Sequence, residues 1–175
     1  MDIEVASRGF DDRIRWDPAL IRKYDVAGPR YTSYPTALQF AEGFGSREYE
    51  QYLLERPPVI GPLSLYVHIP FCRNICYYCA CNKIVTRDAA VAERYIVALE
   101  KEIALLAHHH DQRRRVTQLH WGGGTPTFLS PSELTRLMHG LARHFSLIDA
   151  PEREYSIEID PRSVDTGTIA LLKGL

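Results

Sequence analysis

Beyond residue 62 this chain alternates short apolar, β-rich segments with long amphipathic ones, and that order constrains the fold more than any other feature. Residues 63–68 (LSLYVH) read as a strand buried on both faces, since most positions are apolar or β-prone. Asp88 then caps a helix in which Ala92, Tyr95, Ile96, Leu99, Ile103 and Leu106 recur at spacings of three and four. Residues 117–121 (TQLHW) form a second strand, ended by Gly122-Gly123-Gly124. Ser130-Pro131-Ser132-Glu133 is a capping box with proline at the first helical position, and it opens a helix with Leu134, Leu137, Met138, Leu141 and Phe145 on one face. Residues 155–160 (YSIEID) make a third strand, and 166–172 begin a third helix. The expected fold is α/β, with parallel strands joined by crossover helices. Three such units do not close a barrel, so the chain is expected to be the front part of a longer protein.

Residues 1–62 differ in texture and are read as an N-terminal arm with short helices, ahead of the β/α part at 63–175. Asp17-Pro18 opens a short helix through Ala19, Leu20, Ile21 and Tyr24. The segment at 27–37 (AGPRYTSYPTA) favours an extended, ordered path because of its two prolines. A second short helix at 47–56 is stopped by Pro57-Pro58.

Composition narrows the function classes. At 45% hydrophobic and 25% charged, the chain is neither disordered nor collagen-like. Its 21 Lys and Arg nearly cancel 22 Asp and Glu, which removes any whole-molecule attraction to nucleic acid or an anionic membrane. The basic run Arg113-Arg114-Arg115 is read as a solvated turn after a helix. No apolar run reaches the roughly 18 residues of a membrane span, and the acidic N-terminus lacks the apolar stretch of a secretory signal. A cytoplasmic monomer that binds neither nucleic acid nor membrane is expected.

In that reducing compartment the 4 cysteines, all between Cys72 and Cys81, point to metal or redox chemistry rather than disulfides. Cys72-x3-Cys76-x2-Cys79 follows the first strand directly, at the carboxyl end where α/β sheets build their sites. Zinc sites usually take four ligands in two separated pairs, and no second pair is present, although Cys81 leaves a zinc knuckle open. A thioredoxin-type pair at Cys76 and Cys79 would leave Cys72 without a role. Three thiolates on one loop suit a cubane iron–sulfur cluster with one iron free of protein ligand.

With that spacing the chain resembles the radical S-adenosylmethionine (radical SAM) superfamily. Its neighbours are similar to the bacterial oxygen-independent coproporphyrinogen III oxidases: Tyr66-Val-His68-Ile-Pro70-Phe-Cys72, Tyr77-Tyr78-Cys79-Ala-Cys81-Asn82-Lys83, the segment 28–37, His120-Trp-Gly-Gly-Gly-Thr-Pro-Thr127 and Ser156-Ile-Glu-Ile-Asp-Pro-Arg162. The resemblance covers about residues 17–175. It implies the first three β/α units of a radical SAM partial barrel. It also implies a 4Fe–4S cluster on Cys72, Cys76 and Cys79, with S-adenosylmethionine on the fourth iron, cleaved to a radical that removes hydrogen. The substrate implied is coproporphyrinogen III, with two propionates oxidatively decarboxylated to vinyls to give protoporphyrinogen IX for haem biosynthesis. A low-potential, flavodoxin-like electron donor is implied as partner. The alternative is a haem-binding, chaperone-like relative without oxidase activity, which typically lacks the Tyr-Thr-Ser-Tyr-Pro arm and the Cys81-Asn82-Lys83 continuation.

The same resemblance assigns further positions. Gly123 would contact the cluster-bound cofactor, while Gly124 and Thr125 would contact a second S-adenosylmethionine, so two are expected. Glu158, a carboxylate on an apolar strand that needs a partner, would bond the first cofactor, unless it merely pairs with an arginine such as Arg162. Tyr66 shares a strand face with Ser64 and His68, and the family pattern makes Tyr66 a first-cofactor contact. Tyr78 would lend its backbone to the second. His68 is taken as structural, His120 and Trp121 as the end of a buried strand, and Cys81 as no ligand of the cluster.

Overall fold

The computed structural model describes residues 16–26, 37–55, 61–111 and 113–175. Most of the segment 28–37 therefore lies outside the described residues. Two compact units divide the chain, Met1–Arg47 and Glu48–Leu175. In the first, α1 (Pro18–Tyr24) begins as the sequence predicts. The Asp17 carboxylate accepts the N–H groups of Ala19 and Leu20 at 2.9 and 3.0 Å, and Pro18 occupies the first turn, where no N–H is needed. A 3-10 turn follows at Ala37–Gln39, and α2 (Ser46–Glu55) runs across the division.

The second unit holds β1 (Leu63–Ile69), β2 (Phe71–Cys72), β3 (Ile84–Val85), α3 (Ala90–Ala107), β4 (Arg115–Gly123), α4 (Pro131–His144), β5 (Ser146–Leu147), β6 (Glu154–Ile157) and α5 (Thr166–Gly174). Among the described residues every pairing is parallel, as the alternation requires. β4 is central, with β1 on one side and β5, then β6, along the other. Ile69 of β1 faces Gly123 of β4, and Trp121 of β4 faces Ile157 of β6, so the carboxyl ends lie together.

One face of this sheet is the core. Val67, Ile69, Leu119 and Trp121 pack with Ala92, Ile96 and Ile103 of α3 and with Leu134, Leu137 and Leu141 of α4. Ile96 and Leu137 have no exposed surface, and burying each stabilises the fold by on the order of 2 kcal/mol. The α4 capping box forms as predicted: the Ser130 hydroxyl accepts from the Glu133 N–H, and the Glu133 carboxylate accepts from the Ser130 N–H at 2.7 Å. Arg136 of α4 joins the two helices, reaching Glu93 and Glu100 of α3 at 2.7 Å each.

Several boundaries and faces differ from the sequence reading. β1 is buried on one face only, because Ser64 and Tyr66 are exposed and His68 is partly so. β4 runs on through Gly122 and Gly123, whose ladder with His68 and Ile69 continues past the apolar run. β6 stops at Ile157, which leaves Glu158 one residue beyond it, although the Glu158 N–H still donates to Trp121 O at 2.9 Å. Asp88 accepts from the Ala90 N–H at 2.9 Å, but Ala89 is the capping residue of α3.

The basic run lies in the exposed turn that leads from α3 into β4, as the sequence suggested, and its arginines find partners there. Arg113 pairs with Asp111, which it draws down to a pKa of about 2 through its hydrogen bonds. Arg114 donates to the carbonyls of Gly61 and Pro62 ahead of β1, and Arg115 pairs with Glu152. Among the described residues no helix is long and apolar enough to cross a membrane.

Candidate active site

The cysteine loop begins where β1 ends. β2 and β3 pair in parallel, Phe71 with Ile84 and Cys72 with Val85, and so hold both ends of the intervening segment. Two further contacts fix its root. The Tyr95 hydroxyl of α3 donates to His68 O at 2.5 Å, and the Phe71 ring meets Tyr95 edge-on at 5.4 Å. Cys72 is buried in β2, where it accepts a hydrogen bond from the Thr125 hydroxyl at 3.5 Å. Cys76 is exposed and Cys79 half-buried, joined by a turn in which the Cys79 N–H donates to Cys76 O at 3.2 Å. All four thiols are free. A hydrogen bond from the Cys81 backbone holds the Cys79 thiol below its ordinary pKa, with the Cys81 thiol and Lys83 adding to the effect. The hydrogen bond between the two thiols pushes the Cys81 thiol up, and burial adds to the rise. Cys79 is thus the readier thiolate of the two. Among the described residues no three His, Cys, Asp or Glu side chains converge on one point.

Beside this root lies the open face of the sheet, and its polar residues fall in register. Tyr66 of β1 stands opposite His120 of β4, which stands opposite Ser156 of β6. The Tyr66 and His120 rings stack, with centroids 5.8 Å apart at an interplanar angle of 13°. His68 Nε2 lies 3.0 Å from Asn82 O, a carbonyl that only accepts, so Nε2 carries the proton. In the neutral ring Nδ1 is then an acceptor, and the Tyr66 hydroxyl donates to it at 3.0 Å. This chain of two hydrogen bonds ties the β1 face to the far leg of the cysteine loop. Burial raises the Tyr66 pKa, and the charges of Glu158 and Cys81 raise it further, so the phenol keeps its proton. Glu158 closes the row. Its Oε2 accepts from the Gly123 N–H at 3.2 Å, and its Oε1 lies 3.5 Å from His120 Nε2. Arg162 is not its partner, because that guanidinium binds Asp160 in two parallel bonds of 2.9 Å.

The three glycines allow these approaches. Gly123 has φ +109°, and a Cβ there would sit 2.5 Å from His68 Cε1. A Cβ on Gly124 would lie 2.7 Å from both the carbonyl carbon and oxygen of Pro70. Gly124 donates to Ile69 O at 2.8 Å and Thr125 to Phe71 O at 2.9 Å, so this turn is stitched to the backbone that leads into Cys72.

Comparison with known proteins gives this arrangement its family. Residues 66–175 match the radical SAM superfamily. The chain is 53% identical over 164 residues to the oxygen-independent coproporphyrinogen III oxidase of Pseudomonas aeruginosa, covering 94% of this chain and 36% of that one. It is 49% identical over 148 residues to the oxygen-independent coproporphyrinogen III oxidase of Mannheimia haemolytica, covering 85% of this chain and 98% of that one. The chain belongs to the radical SAM superfamily, in the oxygen-independent coproporphyrinogen III oxidase family. Its fold matches the solved coproporphyrinogen III oxidase of Escherichia coli, described as a radical SAM enzyme, with a TM-score of 0.74 and 48% identity over 92% of this chain and 34% of that one. The chain spans about a third of the length of the Pseudomonas and Escherichia relatives.

In this radical SAM chain the β/α units are those of a partial parallel barrel. Of the positions singled out in the sequence, Tyr66, Gly123 and Glu158 come together on the open face. Thr125 meets Cys72, while the Tyr78 side chain is 92% exposed. His68, His120 and Ser156 also belong to the open face, and the sequence reading did not give them a role there. Their signal was parity. Ser64, Tyr66 and His68, then Gln118, His120 and Gly122, then Glu154, Ser156 and Glu158 put polar or small residues on alternate positions of all three strands. A cluster fits this chain by the chemistry of its donors, since three free thiols lie on one loop whose two ends are pinned together.

Proposed function

We propose that this chain is the cluster- and cofactor-binding part of an oxygen-independent coproporphyrinogen III oxidase, which converts two propionates of coproporphyrinogen III to vinyls. The carrying observation is positional: the cysteine loop and the Tyr66–His120–Glu158 row share the carboxyl end of one parallel sheet, linked through His68 and Asn82. The names and identities of the Pseudomonas, Mannheimia and Escherichia relatives support the substrate and reaction. Cys72, Cys76 and Cys79 are the cluster ligands, and Cys81 is not one. Cluster and S-adenosylmethionine, when bound, supply the one-electron chemistry.

The chain's own residues bind and orient. Thr125 directs the Cys72 sulfur. Glu158, bound by the Gly123 N–H with His120 close by, offers its carboxylate as an acceptor to the amino or ribose groups of a first S-adenosylmethionine, beside Tyr66. The loop of Gly124 and Thr125 and the backbone of Tyr78 lie toward a second cofactor. A flavodoxin-like donor delivers the electrons.

Anaerobic reconstitution of the full-length protein that carries this chain tests the reading. About four irons per chain are expected, with cluster absorption lost in Cys72→Ala, Cys76→Ala and Cys79→Ala and kept in Cys81→Ala. Incubation with coproporphyrinogen III, reductant and S-adenosylmethionine should then yield protoporphyrinogen IX. A loaded protein that forms no vinyl product would overturn the oxidase assignment. Loss of the cluster in Cys81→Ala together with retention in Cys72→Ala would overturn the ligand set.

A further inference from the structure

We infer that His120 is a positioning residue that fixes the orientation of the Glu158 carboxylate, and that Ser156 in turn aims His120. The inference about cofactor affinity rests on the role proposed above for Glu158; the positioning itself does not.

Four observations converge on it. His120 Nδ1 is 2.7 Å from the Ser156 hydroxyl, a neighbour fixed by the β4–β6 register. His120 Nε2 is 3.5 Å from Glu158 Oε1. A lone pair turned toward a carboxylate would be repelled, so Nε2 carries the proton, and in the neutral ring Nδ1 accepts from Ser156. The Tyr66 ring stacks on the imidazole and limits its rotation. Gly122 lies between the two groups: a Cβ there would sit 3.0 Å from His120 Nε2 and 3.2 Å from the Glu158 carboxyl carbon. A side chain at Gly122 would therefore intrude on the line of contact.

The consequence is a carboxylate with a hydrogen bond on one oxygen and the imidazole edge as an electrostatic neighbour 3.5 Å from the other. Gly123 N–H binds Oε2 and depends on backbone shape, whereas His120 approaches Oε1 and depends on a side chain. One donor alone leaves the carboxyl free to swing about its last bond. The attraction of His120 Nε2–H for the second oxygen biases its plane, and with it the direction of the lone pairs left for a ligand. His120 does this without being a group the cofactor must touch, so truncation should affect binding through Glu158.

The test uses the full chain, reconstituted without oxygen. Crystal structures of wild type and His120→Leu report the positioning directly: in the variant the Glu158 carboxylate is expected to leave Gly123 N–H or to adopt several orientations. S-adenosylmethionine affinity is read by equilibrium dialysis and by the cofactor-induced change in the EPR spectrum of the reduced cluster. His120→Leu should weaken binding about three- to tenfold, the range for a half-exposed charge-assisted contact. His120→Gln, whose amide N–H can stand where Nε2–H stands, should bind within about twofold of wild type. Combined with Glu158→Gln, His120→Leu should add nothing further. A purely structural histidine predicts otherwise, with lower melting temperature and cluster content in both His120 variants and no rescue by glutamine. An unmoved, singly oriented Glu158 in the His120→Leu crystal overturns the positioning role. If Glu158→Gln binds the cofactor normally, the cofactor role of Glu158 falls instead, and the crystal structure alone decides the role of His120.

Discussion

Gly124→Ala asks why the third glycine of the turn is there. A ligand-binding loop would need glycine because a cofactor comes close, and the fold would then tolerate a methyl group. The geometry gives another reason. The added Cβ would lie 2.7 Å from Pro70 C and O and 2.8 Å from Phe71 O, all backbone atoms that cannot rotate away. Relief requires the 69–71 segment and the 123–125 turn to part by several tenths of an ångström. That movement strains the bonds from Gly124 N–H to Ile69 O and from Thr125 N–H to Phe71 O. Each such bond contributes about 1 kcal/mol net, and forcing a methyl group into packed structure costs about 1–3 kcal/mol. Together they place the loss at about 3–5 kcal/mol, a large share of the roughly 5–15 kcal/mol of a typical fold. In calorimetry of the full chain this should appear as a melting temperature lower by about 10 °C. Because the same strands lead into Cys72, iron bound after reconstitution should fall in parallel. A Gly124→Ala protein with wild-type melting and full cluster, but weaker S-adenosylmethionine binding, would refute this account and make the cofactor's approach, not the packing against Pro70 and Phe71, the reason for glycine at this contact loop.

Gly140→Ala provides the opposite sign: the site is mid-helix in α4 with open space where the methyl would go, so stability should rise by about 0.5–1 kcal/mol in denaturant titration. Arg136→Ala should lower the melting temperature near neutral pH by separating α3 from α4, an effect that weakens in high salt. Since the hydrogen bond from Arg136 depresses the Glu100 pKa in the fold, that contribution is complete above the ordinary carboxylate range and is lost as pH falls through the folded value. Wild type and Arg136→Ala should therefore converge in melting temperature as pH falls below the ordinary carboxylate range, and a difference independent of pH would exclude the ion pair as its cause.

Much of the architecture was legible because it rests on local rules. Alternating strand and helix segments demanded parallel pairing, and every pairing among the described residues is parallel. Asp17-Pro18 and the Ser130–Glu133 box marked helix starts through hydrogen bonds between near neighbours. The boundaries that moved depend on distant partners. β4 runs through Gly122 and Gly123 because His68 and Ile69 pair with them, against the weak strand preference of glycine. β2 and β3 went unforeseen because each is two residues long, and the bonds from Ile84 N–H to Pro70 O and from Thr86 N–H to Cys72 O make them strands.

The open face shows where reading one strand at a time fails. Hydropathy alone cannot separate a strand buried on both sides from one that carries a tyrosine and a histidine on a polar face, because both aromatic side chains are common in cores. What separates them is agreement between strands. Polar parity in residues 63–69 means little; the same parity in 115–123 and again in 154–158 would be hard to sustain on a sheet buried on both faces. The parallel register converts those three parities into rows, Tyr66 with His120 and Ser156, and Ser64 with Gln118 and Glu154. Register is a property of the folded sheet, which is why His120 looked like the buried end of a strand in the sequence. In the fold its Nδ1 is engaged by Ser156 and its Nε2 faces Glu158, so the residue with the least local signal makes the most connections across the face.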